Sequence, residues 1–506
     1  MHFAHPPSDS PLFNDPALSS LRRVGVVDVG SNSVRLVVFD GAARSPAYFF
    51  NEKVLCGLGS SLALTGKLNP DGRERALAAI KRFALLAESM NLSTLIGVGT
   101  AAVREAEDGK DFCELIEQTT GLRVAIASGA EEARLAAQGV LLGWPGASGI
   151  VCDLGGYSAE FAEISNGRIG KCLTSPLGPL AVQQAYTGGK AGKRKLAEIA
   201  VGVRRNFNGD VRALHLVGGS WRVIARLHME HWKYPLKVLN EYRMTPDSVR
   251  ATLKWARRVG VKGLRERNLV NYERLQLLPL AGRVLEAILN AFEPNEISVS
   301  AHGIREGLLY GYMPERLRNR DPLIEACIHS EHSSARQPGF GEKLFEFVKP
   351  LFKEAGTERL RLIRAACLLH DVTWRAHPDY RAEISFDNAT RSNLGGLDHS
   401  GRVFLALALF HRYRSSNGEQ FIGKYLSLLP KGDAKQAEIL GRAMRFGAMF
   451  AVVSPEKIAR LKFKSRRNSL ILILPASFSD IYGVAAEVRF RSLARAMDCA
   501  PEVEVV

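Results

Sequence analysis

The chain has 506 residues, 46% of them apolar and 24% charged, with seven cysteines and a formal net charge of +16. Such a length exceeds one ordinary core and asks for two to four domains, and the charge asks for an acidic partner, for which nucleic acid, anionic lipid and polyphosphate all qualify. Cysteines scattered from Cys56 to Cys499 without a C-x-x-C pair argue against a disulfide framework or a zinc knuckle, and no segment reads as long enough to span a membrane, so a cytoplasmic protein with no membrane partner is expected.

Residues 1–22 are rich in Pro, Ser and Asp, lack an apolar stretch and a basic start, and read as a disordered lead rather than a signal peptide. Val24 to Gly41, VGVVDVGSNSVRLVVFDG, reads as a strand, a tight polar turn and a second strand. The turn carries Asp28, Gly30, Ser31, Asn32 and Ser33. Its backbone N–H groups and two hydroxyls, with little carbon in the way, suit close approach to a phosphate oxygen, and Asp28 sits where a metal ion or its waters would be held.

Asn69-Pro70-Asp71-Gly72 signals a helix start, and the strand Leu95 to Gly99 delivers Thr100 and Arg104 to its C-terminal end, where α/β folds place ligands. The strand Val124 to Ala127 ends at Ser128-Gly129-Ala130-Glu131-Glu132-Ala133-Arg134, which puts both glutamates at the start of a helix. Val151 to Gly167, VCDLGGYSAEFAEISNG, then repeats the first hairpin: Asp153 answers Asp28, Gly155 answers Gly30, and Ser158 answers Ser33. Two such turns from like-folded halves would grip a phosphate chain from both sides.

Leu177-Gly178-Pro179 and a mostly helical stretch lead to the strand Ala213 to Val217 and a third glycine turn, Gly218 to Arg222, where Trp221 reads as core. A strand at Glu296 to Val299 precedes a turn and helix from Ala301 to Leu309. Basic residues concentrate at Lys190 and Lys193 to Lys195, and again from Arg460 to Arg467. Beyond Leu323 the strand signal nearly vanishes in favour of helical periodicity, apart from one apolar run, Leu470 to Leu474. The boundaries read as a first half over residues 23–147, a second over 148–315 and a helical domain over 320–506.

In this order, DVGSNSVRL, GTAAVREA, SGAEEARL, DLGGYSAE, VGGSWR and HGIREGLL resemble the exopolyphosphatase and guanosine-pentaphosphate phosphohydrolase (Ppx/GppA) family of the actin-like ATPase fold superfamily. The resemblance implies an α/β fold of two actin or ribonuclease H-like halves facing across a cleft, followed by a mainly α-helical, HD-like C-terminal domain. It also implies a homodimeric hydrolase that removes the terminal phosphate of inorganic polyphosphate with water as nucleophile and magnesium as cofactor. Guanosine pentaphosphate is the alternative substrate, and a non-catalytic sensor or a kinase of the same superfamily are the further readings.

Phosphoryl transfer needs positioning and neutralisation of charge, which the two turns with Arg35 and Arg104 would supply. The resemblance makes a glutamate of SGAEEARL the base, Glu132 in preference to Glu131, although spacing alone does not decide between them. Asp28, Asp153 and Glu160 form the remaining acidic set, suited to magnesium and its waters. Gly155, Gly156, Tyr157 and Ser158 make the second phosphate turn, with Tyr157 standing where the family commonly has a third glycine. Its phenol either donates to a phosphate or partly blocks the cleft. In the helical domain, His370 and Asp371, with His332 and Asp398 as candidate partners, leave open a second metal site.

Overall fold

The computed structural model describes residues 23–40, 44–185, 189–267, 272–414 and 419–506; the lead read as disordered lies outside these. Contacts divide the chain into two units, Met1–Arg320 and Asp321–Val506.

The first unit holds two sheets. The five-stranded sheet runs β3-β2-β1-β4-β5, with β1 at Val24–Val29, β2 at Ser33–Phe39, β3 at Tyr48–Leu55, β4 at Thr94–Gly99 and β5 at Val124–Ile126. The second comprises β6 (Gly149–Leu154), β7 (Ala159–Ser165), β8 (Arg168–Ser175), β9 (Ala213–Val217), β10 (Tyr242–Met244) and β11 (Glu296–Val299), in the order β10-β11-β9-β6-β7-β8. In each sheet an antiparallel meander of three strands is joined through its first strand to parallel strands. The duplication extends to register: Asp28 faces Arg35 across β1 and β2, and Asp153 faces Glu160 across β6 and β7.

Strands β1 and β2 of the first sheet are apolar on both sides because both sides are covered, whereas the edge strand β3 is largely exposed. Val27, Val29, Val34 and Leu36 pack on helices α1 (Pro70–Ser89) and α3 (Gly109–Thr120), which follows the short α2 (Ala101–Glu105). Val24, Val26, Val37 and Phe39 turn the other way. Two helices lie on the inner faces of the sheets: α4 (Gly129–Gly143), which leaves the first sheet, packs on β6, β7 and β8 through Ala133, Ala137 and Val140. Helices α5 (Pro179–Ala185), α6 (Gly189–Arg204), α7 (Gly219–His231), α8 (Pro246–Glu266) and α9 (Tyr272–Phe292) belong to the second half, and α10 (Ile304–Tyr312) leaves its sheet to pack on β1 through Leu309.

Helices α4 and α10 therefore cross between the sheets, each packed on the sheet opposite the one it leaves. Their backbones approach so closely that a Cβ on Gly307 would strike the Leu135 carbonyl, and one on Gly139 the backbone of Gly303. This crossing carries the start of each helix to the cleft.

One sequence expectation needs correction. Leu275–Phe292 within α9 is long and apolar enough to cross a membrane, with mean hydropathy 1.3. Its Leu275, Leu285, Ile288 and Leu289 are instead buried in the core of the second half, together with Trp221 of α7.

The second unit is mainly helical, with α11 (Pro322–Ser334), α12 (Phe340–Val348), α13 (Thr357–Leu369), α14 (Arg381–Arg391), α15 (His399–Tyr413), α16 (Asp433–Phe450) and α17 (Val484–Ala496). Helix α15 is buried nearly all round, as its apolar run from Val403 to Phe410 requires. The apolar run near Leu470 is the centre of a three-stranded sheet, β12 (Arg460–Lys464), β13 (Ser469–Leu474) and β14 (Ala500–Val505), where the sequence showed one strand. The basic run is thus largely an edge strand, with Leu461 inward and Arg460 and Lys462 outward.

Candidate active site

The two hairpin turns close in the same way: the Gly30 N–H donates to the Ser33 carbonyl at 3.1 Å, and the Gly155 N–H donates to the Ser158 carbonyl at 3.0 Å. Gly30, Ser31, Asn32 and Ser33 from one side, and Gly155, Gly156 and Ser158 from the other, line a cavity of about 220 Å³. A space of that size suits one or two phosphoryl groups rather than a folded polymer. Asp28, Glu132, Asp153 and Glu160 also line it, so the structure brings together most of the residues singled out in the sequence.

Glu132 gets there through the first turn of α4. Ser128 caps that helix, accepting from the Glu131 N–H at 3.3 Å, while the Glu131 carboxylate accepts from the Ser128 N–H at 2.7 Å. This capping box consumes Glu131, whose side chain stays outside the cavity with its pKa held down by those bonds to Ser128. The next residue is turned inward. Glu132 is 4% exposed, and burial raises its pKa; the bond from Arg104 opposes that, and the charges of Asp153 and Asp28 add to it.

Arg104 has a different role from the phosphate contact expected of it. Its guanidinium hydrogen-bonds the Glu132 carboxylate, donates to the Ala127 carbonyl at 2.8 Å and reaches Glu105 at 3.0 Å. It is outside the cavity lining and holds Glu132 in place. Arg35 is likewise displaced from the expected role: Nε donates to Asn51 Oδ1 at 2.7 Å, and the residue does not line the cavity. Tyr157 neither enters the cavity nor fills it. Its hydroxyl donates to the Gly59 carbonyl in the first half, and its ring lies where a Cβ on Gly59 would be, 2.9 Å from Cε2.

The guanidiniums that line the cavity belong to residues given no role from the sequence, while Arg35 and Arg104 act on Asp28 and Glu132 from outside the lining. Arg222, at the start of α7, and Arg305, at the start of α10, both line the cavity. Arg222 is fixed by donating to the Ala301 carbonyl at 2.7 Å. Arg305 is 9% exposed, beside Glu306, which accepts from the Gly303 N–H at 2.6 Å and from the Tyr48 hydroxyl at 2.6 Å. Both arginines lie in glycine turns already visible as VGGSWR and HGIREGLL, and an arginine directly after such a turn was the available signal. Thr100, just after β4, also lines the cavity.

Four carboxylates therefore share a small space with two guanidiniums. Burial, chiefly, pushes Asp153 up to about 6, and raises Asp28; Glu160 is raised by burial and then by Glu132 and Asp153, and it accepts from Thr174 at 3.2 Å. Among the described residues no three His, Cys, Asp or Glu side chains gather closely enough to cage a metal, so Asp28, Asp153 and Glu160 are not a closed ligand triad. The donor set still fits magnesium, which takes hard oxygens, keeps several waters and needs one or two carboxylates plus phosphate oxygens. A divalent cation would also relieve the carboxylate repulsion that adds to burial in raising these pKa values.

In the second unit, Asp371 is bound at both oxygens by Arg336, at 2.7 Å each, and His370 Nδ1 pairs with the Cys367 carbonyl at 2.8 Å. Burial pushes His370 down to about 3. This His-Asp pair serves packing and an ion pair.

The model of the Ppx/GppA phosphatase family matches residues 37–316, and that of the exopolyphosphatase C-terminal domain matches residues 323–500. Exopolyphosphatase 1 of Mycobacterium tuberculosis is 25% identical over 332 residues, covering 63% of this chain and 95% of that protein. The guanosine-5'-triphosphate,3'-diphosphate pyrophosphatase of Aeromonas hydrophila is 23% identical over 497 residues, covering 92% of this chain and 95% of its own. Among solved structures, the Aquifex aeolicus Ppx/GppA family member shares the fold, with TM-score 0.51 and 22% identity over 57% of this chain and 96% of its own. With two like-folded halves, duplicated hairpin turns and a family match over more than half its length, the chain belongs to the Ppx/GppA phosphatase family.

Proposed function

We propose that the protein is an exopolyphosphatase, hydrolysing the terminal phosphate of inorganic polyphosphate with a water activated by Glu132. The observation that carries this reading is the inward-turned, buried Glu132 facing the cavity between the two phosphate turns. The turns hold the terminal phosphoryl group, and Arg222 and Arg305 balance charge on its oxygens. Water attacks phosphorus, its proton passes to Glu132, and the bond to the bridging oxygen breaks. The products are orthophosphate and a chain one unit shorter.

A raised pKa matches Glu132 to accepting a proton near neutrality. Arg104 keeps the carboxylate oriented, and the buried position limits competing water. Magnesium, when bound, would neutralise phosphate oxygens, and Asp28, Asp153 and Glu160 are the residues that would hold it, one or two directly and the rest through its waters.

Guanosine pentaphosphate is the second reading, favoured by the Aeromonas relative, which matches the chain nearly end to end. Phosphate release from long-chain polyphosphate and from guanosine pentaphosphate, each with and without magnesium, separates them. Release from polyphosphate alone fixes the first; release from the nucleotide alone replaces it; release from neither refutes both.

A further inference from the structure

On the second half of the first unit, residues of α5, α6, α8 and α9 line a cavity of about 1040 Å³ that shares no lining residue with the active-site cavity. Its floor is aliphatic, from Val182, Leu196, Leu280 and Ala287, and its rim is cationic. Helix α6 contributes Lys190, Lys193 and Arg194, and α9 contributes Arg283. Helix α8 adds Arg250, Lys254 and Arg257, a row at i, i+4 and i+7 that extends about 10 Å along the helix.

Little on the protein neutralises this rim. Glu286 is the one carboxylate among the described lining residues, and it is taken by Arg257 at 2.8 Å. Arg250 is held by Asp247 at 3.1 Å, and Arg194 by Glu198 at 3.6 Å. Lys190, Lys193, Lys254 and Arg283 make no ion pair among the described residues. A concave surface of one charge sign concentrates an oppositely charged ligand.

The shape and chemistry narrow that ligand. No aromatic side chain lines the cavity among the described residues, so nucleic-acid bases lack the stacking platform that single-strand binding uses. Cations repeated along a helix suit an anion repeated along a chain. The place suits it too: α5 begins against the second phosphate turn, with the Leu180 N–H donating to the Gly156 carbonyl at 2.8 Å, and two residues later Val182 reaches the cavity floor. One short helix separates the two sites.

We propose that this cavity is an exosite for the trailing part of an inorganic phosphate chain whose end occupies the active-site cavity. The proposal rests on the polyphosphate reading of that cavity. It predicts that long chains use both sites, whereas tripolyphosphate uses the active site alone.

The test combines Lys190→Gln, Lys193→Gln, Lys254→Gln and Arg283→Gln in the full chain, all at exposed positions. For long-chain polyphosphate KM should rise about tenfold or more, from four surface charge contacts, while kcat and tripolyphosphate turnover stay within about twofold of the parent. Binding of long-chain polyphosphate is measured in a Glu132→Gln background, where the chain is not consumed. There the slope of log affinity against log salt should flatten by about 3, four contacts at roughly 0.7 each as for a flexible strand. Unchanged binding and an unchanged slope overturn the exosite, as does equal loss on long chains and tripolyphosphate. Tighter binding of a single-stranded oligonucleotide than of polyphosphate, lost in the same variant, assigns the cavity to nucleic acid instead. Absence of phosphate release by the parent counts against the active-site reading; release by the parent with unaltered binding by the variant counts against the exosite alone.

Discussion

Replacing Glu132 by Gln is the sharpest test of the proposed chemistry, because it preserves side-chain volume in a position only 4% exposed and removes the ability to take a proton. Loss of a general base costs about two to four orders of magnitude in kcat, or about 3 to 5 kcal/mol of barrier. Binding should not suffer in proportion. Glu132 is one of four carboxylates lining the cavity, and its removal reduces repulsion against an incoming phosphate chain. Arg104 keeps its bond to the Ala127 carbonyl at 2.8 Å and so remains placed. The Gln variant should therefore show a collapsed kcat with a dissociation constant equal to or tighter than the parent's, read by orthophosphate release and by calorimetric titration. Glu131→Ala is the paired control: it breaks the return bond of the capping box, costing about 1 kcal/mol of stability, and should leave kcat near normal. A kcat for Glu132→Gln within tenfold of the parent, or a larger loss in Glu131→Ala, refutes the assignment.

Because burial raises the pKa of Glu132 and catalysis needs its carboxylate form, kcat should fall as pH drops through that raised value, placing the acid limb near neutrality instead of near the ordinary glutamate value of about 4.3; a pH–rate profile flat down to about 5 contradicts this. Asp153→Asn should raise the magnesium concentration needed for half-maximal turnover without lowering the thermal midpoint near neutrality, since burial raises this carboxyl to about 6 and its charged form therefore costs stability above that pH; unchanged metal dependence removes Asp153 from the ion's surroundings. Arg305→Gln should lower kcat by about a hundredfold or more, as loss of a preorganised charge partner does, with KM less affected; a pure KM effect makes Arg305 a binding residue only. Tyr157→Phe, which deletes one hydrogen bond to Gly59, should change chain affinity by no more than about tenfold, and a complete loss of turnover would place the phenol in the chemistry.

Much of the fold was legible because it is local. Asp28 and Asp153 sit in hairpins whose turn chemistry and alternation are written in adjacent residues, and the register repeats across the two halves. The choice between Glu131 and Glu132 was legible too, though unused: Ser128 and Glu131 stand three apart, the spacing of a capping box, which assigns Glu131 to the helix end. The contacts that Arg104 and Arg35 make were not legible because their partners, Glu132 and Asn51, lie 28 and 16 residues away and are set by tertiary packing. The strand Ala500–Val505 was missed although Val503 and Val505 alternate with Glu502 and Glu504, a period of two on an exposed edge that weak hydrophobicity concealed. The apolar stretch of α9 was passed over as too short to span a membrane; it is long and apolar enough, and its buried side chains pack in the core of the second half.

The crossing of α4 and α10 makes the candidate site a joint product of the two halves. Glu132 begins a helix seated on the second sheet, and Arg305 begins one seated on the first, so each chemical group travels with the half from which its own strand did not come. The two sheets are thereby tied to each other through a helix contact that Gly139 and Gly307 keep too tight for a side chain, so the placement of Glu132 relative to Arg305 depends on that contact as well as on either sheet alone.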